Sequence, residues 1–347
     1  MISMPIDEVG YRFTPRQRPF EDDPRWEKFL EDFSCQYPEF DSYRNAFFLL
    51  ENGIGDQVCV LGLLRAFRQH FRAKNIIILA NKRSRDLLSL FDSYDYVVDA
   101  ESVPEFVSTS SGRAFNVLHR PSKSFSNYGR LGPVFNAYAI PYIDQYKIGM
   151  GLPLPVSFDP PNIQLPQASS DIHSLVPPNA IILFPFSNTW RSPPVEFWER
   201  LASRLNKAGF EVFTNTVNKT ASTTSRQPNS RFSNFEPLAN TSALECSLKD
   251  LILSANGAAG LVMNVSGPAW LLAHSRSRKT VLYEDCGLPA SQVRTASAGE
   301  ILSIFDIERL SSNFPEEVFN EVVLDYSEDT FWDRKINDIV AEFTQEK

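Results

Sequence analysis

Cysteine is scarce in this chain, long basic runs are missing, and no apolar stretch is long enough to cross a bilayer; each gap removes a class of function. The four cysteines, Cys35, Cys59, Cys246 and Cys286, lie far apart without a CxxC pair or neighbouring histidines, so neither a zinc site nor a disulfide framework is expected and reduced, buried thiols are. The formal net charge is −8, which excludes the electrostatic footprint of a nucleic-acid binder. The longest apolar runs, AIILFPF and AAGLVM, fall well short of the roughly 20 residues a span requires and read as buried strands. The opening MISMPIDEVGYRF has no charged segment followed by an apolar one, so the expected location is cytoplasmic. No GxGxxG, Walker loop, HExxH or GxSxG occurs, nor a DxD in a convincing context, and the expectation is accordingly no cofactor and no metal.

What is present describes a two-domain globular protein. A length of 347 residues exceeds what one core usually supports, and the hydrophobic share of 43% is ordinary while 27 phenylalanines supply bulky packing material. Residues 1–44 form an N-terminal arm with a helical pattern at Trp26, Leu30 and Phe33. The character then changes. AFFLLE at 46–51 is a continuous apolar run ending at NGIGD, and Val58, Leu61, Leu64, Phe67 and Phe71 follow at spacings of three or four, which is strand, Gly-rich turn, helix. IIILA, a helical segment through Leu87, Leu88 and Phe91, and YVVDA continue the alternation. Such alternation predicts a parallel sheet covered on both faces over residues 45–170.

From about 119 to 178 proline, glycine and aromatics dominate, reading as loops and then a linker. The same pattern restarts across 175–347. AIILFPF leads through SNTWR into a helix that Ser192 is expected to cap, with Pro193 at its first position, Phe197, Trp198, Leu201 and Leu205 on one face and Gly209 at its end. FEVFTN, a helix through Leu244, Leu248, Leu251 and Ala255, the strand GLVMN, the turn SGP, a short helix at 269–275 and the strand KTVLYE follow. A last amphipathic helix carries Phe331, Trp332, Ile336 and Ile339, of the kind that packs across a domain junction.

In open α/β sheets ligands bind beyond the carboxyl ends of strands, which directs attention to three turns. In the first, Gly53 and Gly55 allow a tight turn and close approach of a ligand, and Asp56 reads either as a general base taking a proton from an acceptor hydroxyl or as a helix N-cap. In the second, Ser187, Asn188 and Arg191 offer donors for phosphate oxygens at a helix mouth, or form an ordinary capped turn. In the third, Ser266, Gly267 and Pro268 precede a helix and read as a phosphate or ribose contact or as a tight connection. His119, Arg120, Lys123 and Arg130 form a modest basic region, either an anionic-acceptor contact or a solvated face. His70 and His274 sit in helical segments and read as surface or packing residues.

Three segments together resemble the heptosyltransferase-like glycosyltransferases, glycosyltransferase family 9: ENGIGDQVCVLGLLRAFRQHF, ILFPFSNTWRSPPVEFWERLASRLNKAGFEV, and LKDLILSANGAAGLVMNVSGPAWLLAHSRSRKTVLYED. The first is similar to the family's Gly-(Ile/Leu)-Gly-Asp turn and helix, the second to its donor-phosphate turn, the third to its Asp-Ser-Gly turn and the helix after it. Each motif is loose, and their order and spacing carry the likeness across most of residues 46–286. The resemblance implies a GT-B fold, two Rossmann-like domains with parallel sheets facing a central cleft. It implies inverting, metal-independent transfer from a nucleotide-sugar donor to a hydroxyl of a glycan or lipid-linked acceptor, often in lipopolysaccharide or other cell-surface polysaccharide synthesis, with at most peripheral membrane association. By position Asp56 is similar to the family's base, Ser187 and Arg191 to its phosphate contacts, and Ser266 and Gly267 to its donor turn. Val265 stands where the family has Asp, Trp270 where it has His and Arg191 where it has Lys, which leaves the donor open to a sugar nucleotide other than ADP-heptose, with Trp270 either stacking on it or packing in the core. A sugar-nucleotide epimerase or hydrolase, and a degenerate relative that binds a nucleotide or a partner protein, are the competing readings.

Overall fold

The computed structural model describes residues 24–38, 45–50, 54–80, 84–99, 117–119, 146–147, 150–159, 161, 175–186, 192–216, 236–264, 266–284, 319–324 and 329–344. They fall into two compact units, one before and one after residue 163.

In the first unit, α1 (Pro24–Gln36) precedes β1 (Asn45–Leu50), α2 (Ile54–Phe71), β2 (Asn75–Ala80), the short α3 (Arg85–Leu88), β3 (Tyr96–Asp99) and β4 (Val117–His119). The sheet order is β3-β2-β1-β4. β1, β2 and β3 are parallel, while β4 runs antiparallel to β1 with Ala46 opposite His119. Strand alternation explains how β1 is covered on both faces. Phe47 meets Phe33 of α1 with ring centroids 6.1 Å apart, and its neighbour Phe48 points the other way, onto Phe67 of α2 at 5.0 Å. Phe33 also meets Tyr96 of β3 at 5.8 Å, so the helix in the N-terminal arm is a lid on this sheet. All six residues of β2 are buried, the signature of a central parallel strand.

The second unit holds β5 (Ala180–Phe184), α4 (Val195–Lys207), β6 (Glu211–Asn215), β7 (Ser242–Leu244), α5 (Leu248–Gly257), β8 (Gly260–Asn264), α6 (Gly267–Leu272), β9 (Arg278–Glu284), β10 (Phe319–Leu324) and α7 (Trp332–Thr344). Its six strands are parallel in the order β10-β9-β8-β5-β6-β7. One face buries Ile181, Leu183, Val262 and Leu282 against Phe197, Trp198 and Leu201 of α4 and Trp332, Ile336 and Ile339 of α7. Each such side chain contributes about 1.5–3 kcal/mol through removal from water. Ile182, Leu261 and Met263, on the opposite face, are equally buried. Gly209 adopts φ +91° just past α4, the left-handed helix stop expected of it.

Several local expectations are corrected. Ser192 does not cap α4: consecutive prolines push the chain into an extended conformation, Pro194 occupies the cap, and the Ser192 hydroxyl donates to the Pro185 carbonyl instead. Leu244 belongs to β7 rather than to a helix, because Ser247 accepts from the Asp250 N–H at 3.2 Å and starts α5 after it. Gly267 and Pro268 are already helical, and that helix ends at Leu272. Phe331 is 57% exposed in a 3-10 turn, since only Trp332 aligns with Ile336, Ile339 and Phe343 on one helical stripe. Strands β4, β7 and β10 were not expected. Cys59 is buried as foreseen, but Cys35 is exposed.

Candidate functional site

The order of the second sheet places its candidate site. Leaving β5, the chain winds outward through β6 and β7, then returns to the other side of β5 with β8 and continues to β9 and β10. The order therefore reverses between β5 and β8, the switch point at which adjoining crossovers diverge and leave a crevice beyond the strand ends. Asn264 closes β8 there with no exposure, and Ser266 follows in an extended conformation as the residue before α6. The Ser266 hydroxyl is buried, makes no capping bond, and has no hydrogen-bond partner among the described residues. Ser254, Ser275 and Thr280 share that last property, so its position singles Ser266 out. Pro268 in the first turn of α6 suits a helix start, where its missing N–H costs nothing. On the β5 side, Ser192 is tied to Pro185 and receives the indole N–H of Trp198 at 3.2 Å. Ser187, Asn188, Arg191 and Val265 lie outside the described residues, as do Gly53, Arg120, Lys123 and Arg130.

The first unit presents a different chemistry at the equivalent edge. α2 starts at Ile54, four residues past the end of β1, and Gly55 is buried in its first turn. Asp56 is the third helical residue, not the cap, where a carboxylate complements the positive end of the helix. Its carboxylate accepts a hydrogen bond from the hydroxyl of Tyr146, a residue with 0% exposure. One turn along α2, burial and then the Asp56 charge push the Cys59 thiol well above its usual range, which keeps it protonated and inert. Beside Tyr146, the buried Lys147 donates to the Leu154 carbonyl at 2.8 Å. Sequence reasoning missed Tyr146 and Lys147, because both stand in the stretch read as loops and neither belongs to a motif.

Other candidates fall away from these edges. Trp270 is 5% exposed within α6, the burial of a packing side chain. His119 pairs through its backbone in β4, and His70 is on the exposed end of α2. His274 and Lys279 cluster near the start of β9, at the opposite end of the sheet from Ser266. Burial pushes Lys279 down to about 7, and burial followed by the Lys279 charge pushes His274 down to about 4. Among the described residues no cluster of His, Cys, Asp and Glu could hold a metal ion, and no helix is long and apolar enough to cross a membrane.

No protein-family model matches the sequence, and no curated protein matches it. Solved structures do resemble it. The glycosyl transferase family 9 protein from Veillonella parvula is 11% identical with a TM-score of 0.50, over 89% of this chain and 99% of that one. The iron-containing dodecameric glycosyltransferase TibC from enterotoxigenic E. coli is 11% identical with a TM-score of 0.50, over 86% and 77% respectively. ADP-heptose LPS heptosyltransferase II of E. coli is 14% identical over 86% and 98%, with a TM-score of 0.48. At these identities the first two establish likeness of fold: this chain has the α/β fold of the Veillonella family 9 glycosyl transferase and of TibC.

Proposed function

We propose that the protein is an inverting, metal-independent glycosyltransferase that moves a sugar from a nucleotide-sugar donor to a hydroxyl of a glycan or lipid-linked acceptor. It acts in the cytoplasm, in cell-surface polysaccharide synthesis, with at most peripheral contact with a membrane. The observation that carries the reading is Asp56, a carboxylate in the first turn of the helix beyond β1, held by a buried phenol within a fold shared with glycosyltransferases. In a single displacement the acceptor oxygen forms a bond to the anomeric carbon as the bond to the nucleoside diphosphate breaks, inverting that centre. The acceptor proton goes to Asp56, acting as general base. The diphosphate leaves with added negative charge, and the Ser266 hydroxyl with the amides beyond it supplies donors on the second unit. Ser187, Asn188 and Arg191 complete that set, the guanidinium taking the charge-neutralising part a metal would otherwise fill.

The first test is a thermal-shift screen against UDP, ADP, GDP, CMP and their common sugars, with and without a chelator. One nucleotide should stabilise selectively and survive chelation, by about 2.7 kcal/mol at a hundredfold excess over Kd. Asp56→Asn should retain that shift and lose acceptor-dependent transfer. Donor consumption without acceptor would replace the reading with an epimerase or hydrolase. Nucleotide binding without turnover, indifferent to Asp56→Asn, would replace it with a degenerate binding protein.

A further inference from the structure

A tyrosine buried at 0% exposure needs a partner for its hydroxyl, and a backbone carbonyl is the usual one. Tyr146 instead reaches a carboxylate 90 residues earlier in the chain, on the helix that carries the proposed base. The segment that follows is fastened to the same helix. The Asp159 N–H donates to the Gly62 carbonyl at 2.7 Å, and the Asp159 carboxylate meets Arg65 Nε at 3.0 Å. Met150 N–H bonds the Tyr146 carbonyl at 2.9 Å, Leu152 N–H bonds that of Lys147 at 2.8 Å, and the Lys147 ammonium bonds Leu154. Residues 146–147 and 150–159 are thus tied to one another and bolted to α2 at Gly62 and Arg65, six and nine residues beyond Asp56.

This bracing has a chemical consequence for Asp56. A phenol that donates to a carboxylate stabilises its ionised form and fixes the plane of the group. Titratable groups face Asp56 from both sides, Tyr146 from this segment and Cys59 from α2, and Cys59 stays a neutral thiol through the neutral range. We infer that Tyr146 is a positioning residue of the transfer reaction, its hydroxyl holding the Asp56 carboxylate ionised and oriented toward the acceptor proton. The inference rests on Asp56 being the base.

The test is Tyr146→Phe, which removes one oxygen from a buried ring. The Asp56 carboxyl is followed by carbon NMR in protein labelled at aspartate, with its resonance assigned from Asp56→Asn. The titration should move up by about one to two pKa units, as expected for losing a hydrogen bond to a charged group. The acid limb of the kcat profile should move with it, kcat at neutral pH should fall about tenfold, and donor KM should change little. Site-specific 3-fluorotyrosine at 146 keeps the shape with a more acidic phenol and should move the Asp56 titration the opposite way, which covers the case in which Tyr146→Phe does not fold. An unmoved titration in an active enzyme overturns the role of Tyr146 and leaves the transferase reading standing. A moved titration where the wild-type protein itself shows no transfer activity overturns both.

Discussion

Lys279 offers a quantitative check on how the second unit is built. It is the second residue of β9 and 2% exposed, with Nζ donating to the carbonyls of Ser275 at 2.5 Å and Ser277 at 2.7 Å. Those bonds favour the ammonium and burial disfavours it; burial wins, and Lys279 is pushed down from 10.5 to about 7. An unfolded lysine keeps its ordinary value, so between about pH 7 and pH 10.5 the unfolded chain holds a proton that the folded chain has released. Stability must therefore rise with pH across that window, by at most about 1.4 kcal/mol per unit. Taking both titrations together, wild type should gain roughly 2 kcal/mol relative to Lys279→Met between pH 7 and pH 9. The assay is urea unfolding followed by tryptophan fluorescence, which favours this unit because Trp190, Trp198, Trp270 and Trp332 all lie in it and only Trp26 does not. Starting at pH 7 keeps His274, pushed down to about 4, neutral in the folded state. Parallel pH curves for the two proteins would mean that Lys279 titrates normally when folded, and the burial argument would fail.

Two substitutions test the site edges more directly. Gly62→Ala adds a Cβ 2.4 Å from the Phe158 ring and 2.7 Å from the Asp159 carbonyl oxygen; overpacking of about 1–3 kcal/mol should outweigh the roughly 1 kcal/mol helix-propensity gain, so hydrogen exchange in α2 should accelerate, and slower exchange would refute the close approach. Ser266→Ala should leave the melting temperature of the free protein unchanged or slightly higher, since it removes a buried group without a partner among the described residues, and should weaken nucleotide binding about tenfold; Ser254→Ala, the matched control in α5, should leave nucleotide binding alone.

How much of this was legible in the sequence depended on whether a signal was local. AFFLL and AIILF announced central strands because a strand buried on both faces is apolar at every position. Three of the four edge strands carry no such mark: SAL and VLH are three residues long, and FNEVVL mixes polar with apolar positions. Leu244 shows the reverse failure, because its spacing to Leu248, Leu251 and Ala255 fits a helix while the cap at Ser247 decides the boundary. The helix starts at Asp56 and Ser266 were legible for the same local reason, glycine and small polar residues just past apolar runs. Tyr146 was not, because its importance comes from a partner 90 residues away and nothing beside it in the chain marks that pairing.

Four of the buried hydroxyls of the second unit show why chemistry has to be argued from place as well as from state. Ser254, Ser266, Ser275 and Thr280 all lack hydrogen-bond partners among the described residues, so an orphaned hydroxyl alone does not identify a ligand site. Ser275 and Thr280 flank the start of β9, where Lys279 and Ser277 already bond the carbonyls of Ser275, Ser277, Ala255 and Ala258. That end of the sheet is a structural polar patch whose groups answer mainly to the backbone. Ser254 lies inside α5, on the way from β7 to β8. Ser266 alone among the four stands past the carboxyl end of a strand that borders the reversal of strand order, where backbone crossovers diverge and leave room for a ligand. Under the proposed function the same desolvation cost is offset by a ligand at one position and by nothing at the other three, and that asymmetry is what the Ser266→Ala and Ser254→Ala pair measures.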